Sequence, residues 1–289
     1  RYASGSAAAA PDFEVTVDTA HRHIAVVKLQ REHAMNSLSI PVLNRLLEVV
    51  ESLQSRALGH PLKAMILTGE GRRAFIAGAD IRMFAQAQSK DEVLEILLLS
   101  RRVTIALDRA PFATIAALNG ATMGGGLEMA MACDLRFAHT GVKLGLPESQ
   151  LGLIPGGGGT QSLPRLVGEG IANEMMLTGD PITADRAKEI GLVNDVFPEE
   201  ELAARTLAFA NKIAERPLQS IRSILESVRE GRPRQGAPVF KLPESHKVGN
   251  LPLERGEGFE IDGFLKCFQT EESKQRVSEF LERSERKRS

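Results

Sequence analysis

Two glutamates beside glycine-rich turns are the residues of this chain best suited to do chemistry. Glu128 closely follows three consecutive glycines, and Glu148 precedes the four glycines at residues 156–159. An acidic side chain at the edge of an apolar segment is costly to bury, so a purely structural role rarely selects it. Paired carboxylates can donate and accept protons, and backbone N–H groups left free by glycine turns can stabilise negative charge on an oxygen. The pattern therefore predicts proton transfer beside a carbonyl group.

Three glycine-containing turns could supply those N–H groups, at residues 77–82, 119–126 and 154–160. A strand that passes through a glycine turn into a helix leaves N–H donors free at the helix start, where the helix dipole favours negative charge. Each glycine run alone could instead serve close backbone packing. Known phosphate and hydrolase motifs are absent, because Thr160-Gln161 replaces the Lys-Ser/Thr of a P-loop and no G-x-S-x-G occurs.

Composition excludes several functional classes. The 289 residues carry a net charge of −1, and their basic residues are scattered, so nucleic acid and anionic membranes are not expected partners. Cys133 and Cys267 cannot form a disulfide framework, and no Cys/His ligand spacing occurs, so we expect no metal site. No apolar run approaches the roughly 20 residues of a membrane span.

Hydrophobic periodicity predicts an α/β fold with a largely parallel sheet, followed by a helical region. Strands are predicted at residues 13–18, 23–29, 64–68, 112–118 and 135–139 and near 193–197. Helices are predicted at residues 40–58, 91–107, 169–178, 184–190, 200–215, 218–229 and 263–283, the second with Ser89 as its N-cap. The predicted organisation is a leader or disordered tail at 1–12, an α/β core at 13–200 and a helical C-terminal region at 201–289.

Two segments stand apart from these elements. Residues 1–11 contain no acidic residue and are rich in Ala and Ser, which is typical of an organelle transit peptide and equally of a disordered tail. Residues 232–258 contain four prolines, which favours an ordered loop or a mobile flap over a helix.

Several long stretches resemble the signature of the enoyl-CoA hydratase/isomerase (crotonase) superfamily. They are IAALNGATMGGGLEMAMACDLRFA at 115–138 and KLGLPESQLGLIPGGGGTQ at 143–161, with shorter matches at 31–38, 74–82 and 177–184. The resemblance spans about residues 13–283. It implies a spiral of ββα units with a helical C-terminal region that forms homotrimers, often paired as hexamers. Against this pattern, residues 232–249 look like an insertion.

The resemblance also implies roles for individual residues. The N–H groups of Ala79 and Gly125 would hold the thioester carbonyl oxygen of an acyl-CoA. Family members that hydrate carry two glutamates, matched here by Glu128 and Glu148, whereas isomerases and dehalogenases typically lack one. Glu148 would be the principal proton donor and acceptor, Glu128 would orient and activate water, and the Gly156 backbone would help to position that water. The implied reaction is syn hydration of trans-2-enoyl-CoA.

Contacts with the CoA portion of the substrate follow from the same resemblance. Arg82 would be the cation beside the phosphates. The full set of matched binding positions is Ala34, Ala79, Asp80, Ile81, Arg82, Gly125, Gly156 and Phe264. No separate cofactor is expected, because coenzyme A is part of the substrate.

The leading hypothesis is a mitochondrial matrix enoyl-CoA hydratase of fatty acid β-oxidation or branched-chain amino acid breakdown. A methylglutaconyl-CoA hydratase is an alternative, and it would need a cation for the distal carboxylate of its substrate. RNA binding, known in one branch of the family, needs a lysine-rich helix, but residues 42–58 contain only Arg45 and Arg56 as basic residues and carry Glu48 and Glu51. A catalytically silent oligomeric scaffold is the third alternative.

Overall fold

A computed structural model describes residues 13–17, 23–54, 61–231 and 255–286. The leader at 1–12, the turn at 18–22 and the insertion at 232–249 lie outside the described residues. The α/β class with a largely parallel sheet is confirmed. No helix in the described part of the chain is both long and apolar enough to cross a lipid bilayer.

The described strands form two sheets. In chain order they are β1 (Phe13–Val17), β2 (Ile24–Leu29), β3 (Ala64–Gly69), β4 (Ala74–Ile76), β5 (Ala113–Leu118), β6 (Ala121–Met123), β7 (Leu135–His139), β8 (Lys143–Gly145), β9 (Ile182–Thr183) and β10 (Asp195–Phe197). A six-stranded sheet has the order β1-β2-β3-β5-β7-β10, and a four-stranded sheet has the order β4-β6-β8-β9. Strand pairs β1–β2 and β8–β9 are antiparallel, and the other pairs are parallel.

The strands of the larger sheet lie close to their predicted positions. Its inner strands are covered on both faces. All six residues of β5 are buried, which explains the unbroken apolar run in the sequence. The smaller sheet was missed. Its strands have two or three residues, too few for any periodicity to appear. Residues 119–126, predicted as one turn leading into a helix, contain β6, and β4, β8 and β9 are further strands that were not predicted.

Eleven α-helices lie in the described part of the chain. They are α1 (Ile40–Gln54), α2 (Ile81–Gln86), α3 (Lys90–Asp108), α4 (Gly125–Met131), α5 (Gly159–Val167), α6 (Glu169–Thr178), α7 (Ala184–Glu189), α8 (Leu202–Ala214), α9 (Leu218–Glu230), α10 (Arg255–Phe268) and α11 (Glu271–Arg286). Ser89 caps α3 as predicted, with its hydroxyl accepting from Glu92 N at 3.2 Å.

The single helix predicted at 263–283 is wrong in its extent, since α10 and α11 are separate helices. Thr270 lies between them and bonds to both: its hydroxyl donates to Cys267 O at 2.8 Å and accepts from Ser273 N at 3.2 Å. This hydroxyl satisfies backbone groups at the end of one helix and the start of the next, which favours a break there. Helix α10 also begins eight residues earlier than predicted, at Arg255.

The side chain of Asn119 ties the strand ends near the glycine turns together. Its Oδ1 accepts from Gly69 N at 2.9 Å, and its Nδ2 donates to Gly69 O at 2.9 Å and to Gly71 O at 2.8 Å. These bonds join the end of β5 to the end of β3 and to the turn before β4. They fix the edge of the sheet from which the functional residues project.

Candidate active site

One apolar cavity collects the three glycine turns and both glutamates. Ala79, Gly125 and Gly156 line it from the three turns, together with Glu128 and Glu148. Its remaining walls are mainly apolar and include Leu38, Ile81, Phe84, Leu97, Leu153 and Phe264.

Glu128 is held in the first turn of α4, one of the elements that face the cavity. The helix begins directly after Gly124, whose φ of 51° is in the left-handed region that favours glycine. Glu128 Oε1 accepts from Gly157 N at 2.8 Å and from Gly159 N at 2.7 Å. Burial raises the pKa of Glu128, while these two N–H groups and the charge of Arg101 oppose the rise. The Glu128 carboxyl group is thus oriented by the backbone of the glycine turn at residues 154–160.

Glu148 lies in a short 3-10 helix, Pro147–Leu151, and lines the same cavity as the start of α4. A Cβ placed on Gly124 would lie 2.8 Å from Glu148 Oε1, so this glycine leaves room for the carboxyl group. Glu148 Oε2 is buried and has no hydrogen-bond partner among the described residues. Burial, and then the nearby charge of Glu128, raise the pKa of Glu148 well above its ordinary value. The protonated form is therefore favoured more strongly at Glu148, which lacks the two N–H bonds that oppose the rise at Glu128.

Ala79 and Gly125 line the same cavity, and each has a backbone N–H group outside the regular hydrogen-bond ladder. In the parallel bridge between Leu38 and Ala79, Leu38 N donates to Gly78 O at 2.9 Å and Asp80 N donates to Leu38 O at 2.8 Å. Ala79 itself takes part in neither bond, so its N–H points away from Leu38. Gly125 is the first residue of α4, where N–H groups lack intrahelical acceptors. No backbone carbonyl of the described residues accepts from either N–H.

The two donors also lie close together. A Cβ built on Gly125 would lie 3.6 Å from the Ala79 nitrogen. An oxygen placed between them could accept both hydrogen bonds, which is the geometry needed for an oxyanion.

Residues 19–287 match the family model described as Enoyl-CoA hydratase/isomerase. The chain belongs to this family. The Bacillus subtilis protein YngF is 43% identical over 241 residues, which are 83% of this chain and 91% of that protein. The crotonyl-CoA hydratase of Syntrophomonas wolfei is 36% identical over 260 residues, 90% of this chain and 92% of that protein. A crystal structure of an enoyl-CoA hydratase from Bacillus anthracis superposes with a TM-score of 0.72 at 31% identity, covering 94% and 96% of the two chains.

The chain is therefore a crotonase-superfamily enzyme and a hydro-lyase. The crotonase-like architecture expected from the resemblance is confirmed by this structural match.

The structure of this enoyl-CoA hydratase/isomerase family member divides the expected CoA contacts into two groups. Ala79, Ile81, Gly125, Gly156 and Phe264 line the cavity with the two glutamates. The second group lies outside the cavity lining and comprises Ala34, Asp80 and Arg82.

The pair Asp80 and Arg82 has a local structural role. Asp80 caps α2, and its carboxylate binds the Arg82 guanidinium at 2.8 and 2.5 Å. This guanidinium holds the pKa of Asp80 below its ordinary value. Contacts of Ala34, Asp80 and Arg82 with CoA stay predictions.

Sequence analysis did not predict a buried charged cluster, formed by Arg101, Glu257 and Glu260, that lies behind the glycine turn at residues 154–160. Glu260, on α10, accepts from Gly158 N at 2.7 Å and from Thr160 N at 2.8 Å, and it also bonds to the Thr160 hydroxyl. Arg101, on α3, donates to Gly157 O at 2.8 Å and forms an ion pair with Glu257.

Burial, together with the nearby Glu128, raises the pKa of Glu260 to about 8. The available signal in the sequence was weak: two glutamates three residues apart among the apolar residues of 257–265. Among the described residues, no cluster of three His, Cys, Asp or Glu side chains is arranged to hold a metal ion.

Proposed function

We propose that this enzyme adds water syn across the double bond of a trans-2-enoyl-CoA thioester to give a 3-hydroxyacyl-CoA. The observation that carries the proposal is the meeting of Glu128 and Glu148 in one cavity with the N–H groups of Ala79 and Gly125. An isomerase needs the N–H pair, and by the resemblance typically lacks one glutamate. The second glutamate is what favours hydration.

The N–H groups of Ala79 and Gly125 act on the thioester carbonyl. When water attacks C3, negative charge moves through the conjugated system to the carbonyl oxygen and forms an enolate. Two preorganised donors stabilise that charge more than the neutral carbonyl, and a single donor of this kind contributes about 3–4 kcal/mol. The backbone thus lowers the barrier to addition without taking part in proton transfer.

The two glutamates move the protons. Glu128, held by two N–H bonds, orients the water and in its carboxylate form takes one of its protons as the oxygen bonds to C3. Glu148, protonated because of its raised pKa, gives a proton to C2 of the enolate. The pair carries one proton before and after the reaction, and that proton returns to Glu148 before the next turnover. Delivery of both groups from one side of the substrate gives syn addition.

The cavity favours an uncharged acyl chain. Glu128 and Glu148 are the acidic side chains among its described lining residues, which include no Lys, Arg or His. The distal carboxylate of 3-methylglutaconyl-CoA would lose water there without gaining a cation, at a cost of several kcal/mol. The name crotonyl-CoA hydratase of the Syntrophomonas wolfei relative also supports a simple enoyl chain.

A comparison of kcat/KM for crotonyl-CoA and 3-methylglutaconyl-CoA tests this choice. Hydration removes the conjugated double bond, so both reactions can be followed by loss of the enoyl-thioester absorbance. We expect crotonyl-CoA to be the better substrate by at least about tenfold, which corresponds to 1.4 kcal/mol. A preference for 3-methylglutaconyl-CoA would mean that a cation outside the described lining completes the site.

We also propose that the enzyme assembles as a homotrimer or a dimer of trimers. The family resemblance supports this, and so do the apolar side chains exposed on α9, where Ile224 is 62% and Val228 is 61% exposed. A soluble protein covers such groups when it has a partner surface for them. Light scattering of the purified protein gives the mass directly, and a monomeric mass would contradict the proposal.

A further inference from the structure

The glycine turn donates its backbone N–H groups alternately to two buried glutamates. Within residues 157–160, Gly157 N and Gly159 N donate to Glu128 Oε1 at 2.8 and 2.7 Å. Gly158 N donates to Glu260 Oε1 at 2.7 Å, and Thr160 N donates to Glu260 Oε2 at 2.8 Å. One side of the turn therefore orients a carboxyl group of the cavity, while the other side is bound to a carboxyl group behind it.

The turn is further fixed by a cation. Arg101 donates to Gly157 O at 2.8 Å and to Thr104 Oγ1 at 3.0 Å, and it pairs with Glu257. Both Arg101 and Glu260 are buried. A side chain at Gly158, whose φ is +112°, would collide with the Arg101 guanidinium. The turn is thus held against α3 and α10 in one conformation.

Glu260 is not among the described residues that line the cavity, whereas Phe264, one turn further along α10, is. We infer that Glu260 is a positioning residue for hydration, which fixes the turn at 157–160 so that its other two N–H groups hold the Glu128 carboxylate towards the water. The inference rests on the proposed hydratase function.

The physical reason is that a buried N–H group without an acceptor is costly. If Glu260 no longer accepts, the turn must rotate to find other acceptors, and this rotation also moves the N–H groups that hold Glu128. A misplacement of about 1 Å in a catalytic group lowers the rate by up to about 100-fold.

The first test is Glu260→Gln, compared with Glu271→Gln as a matched control on an exposed side chain of α11. An amide has one acceptor oxygen, so at least one backbone N–H of the turn would face an NH₂ group. We expect kcat for crotonyl-CoA hydration to fall roughly 10- to 100-fold in Glu260→Gln, with KM little changed and the fold intact. The control should match wild type. Wild-type kcat in Glu260→Gln would overturn the inference.

A double-mutant cycle with Glu128→Gln separates positioning from general structural damage. If Glu260 acts through Glu128, adding Glu260→Gln to Glu128→Gln should lower the residual kcat by less than about threefold. If the two losses multiply in full, Glu260 does not act through Glu128 and the inference is wrong. An inactive wild type would instead contradict the proposed function, so the two failures are distinguishable.

Thr160 gives a second route if Glu260→Gln does not fold. Its hydroxyl bonds to Glu260, and its own side chain does not line the cavity among the described residues. Thr160→Val removes the hydroxyl at nearly constant volume, and Thr160→Ser keeps it. We expect Thr160→Val to lower kcat several-fold and Thr160→Ser to retain most of it. Equal kcat values for the two variants would count against the inference.

Discussion

Glu128 and Glu260 accept alternating N–H groups from a single turn, although they lie on α4 and α10. The two carboxyls also interact electrostatically, since the charge of Glu128 raises the pKa of Glu260. The acid–base geometry of the cavity therefore depends on a helix far downstream in sequence. The same helix supplies Phe264 to the cavity wall, so α10 contributes both to the shape of the site and to its electrostatics.

Replacing the proposed proton donor should abolish most of the activity. Glu148→Gln keeps the size of the side chain but cannot exchange a proton, so we expect kcat for hydration to fall by about 10²- to 10⁴-fold with little change in KM. Steady-state kinetics with crotonyl-CoA measure this. Glu169→Gln, at an exposed position in the first turn of α6, is the control. Activity within a few-fold of wild type in Glu148→Gln would remove this residue from the mechanism.

The pH dependence of hydration should reflect the raised pKa of Glu148. Hydration needs this carboxyl in its protonated form, and burial together with Glu128 raises its pKa well above the ordinary 4.5. The protonated fraction, and with it kcat/KM, should persist at pH values above 4.5 and fall as the pH rises through the raised pKa. A pH profile of kcat/KM measures the midpoint of this fall. A fall centred near pH 4.5 would contradict the raised pKa of Glu148, and no fall at high pH would show that the Glu148 proton is not required.

A methyl group at Gly125 should obstruct the oxyanion site without disturbing the fold. The added Cβ would lie 3.6 Å from the Ala79 nitrogen, beside the proposed pair of donors. Its closest neighbour is the terminal carbon of Leu38 at 3.3 Å, which a small side-chain movement can relieve. We expect Gly125→Ala to lower kcat by about 10²- to 10³-fold, the loss typical of one oxyanion donor.

The matched control for this substitution is Gly170→Ala, because a Cβ there meets nothing within 4 Å. Its activity should equal that of wild type. If Gly125→Ala were also fully active, the thioester oxygen would have to bind elsewhere.

Alanine substitutions at two other glycines distinguish the effect of backbone strain from that of a collision with Arg101. Gly158 and Gly168 both have positive φ, +112° and +82°, but a Cβ on Gly168 meets nothing within 4 Å. Gly168 has a ψ of 155°, in a region essentially restricted to glycine, so Gly168→Ala should lower the free energy of unfolding by about 1–3 kcal/mol from strain alone. Gly158→Ala should lower it further, because Arg101 could move away only by breaking its bonds to Gly157 O and Glu257. Urea denaturation measures both values, and equal losses would argue against a tight Arg101 contact.

The sequence predicts the long elements well, since strands and helices with several periods of hydrophobic alternation appear close to their expected positions. The family resemblance assigned Ala79 and Gly125, and the structure places both in one cavity with Glu128 and Glu148. The smaller sheet escapes prediction because its strands are too short to show a period. It is held by pairings between distant segments rather than by local pattern.

The charged cluster behind the turn escapes for a different reason. In α3, Arg101 and Arg102 look alike as a solvated pair, yet Arg101 is buried and Arg102 is exposed. What distinguishes them is the crossing of α10, which follows a segment that gives no periodic signal. Glu260 likewise looks like an ordinary helix carboxylate until the turn at 157–160 is brought against it.

Hydration of crotonyl-CoA in D₂O, by wild type and by Glu148→Gln, tests the central claim most directly. Wild type should give 3-hydroxybutyryl-CoA with one deuterium at C2 on the same face as the hydroxyl, seen by mass spectrometry and proton NMR. Glu148→Gln should form this product at least about 100-fold more slowly. Release of free CoA, migration of the double bond without addition of water, or an unchanged rate in Glu148→Gln would contradict a hydratase that uses Glu128 and Glu148.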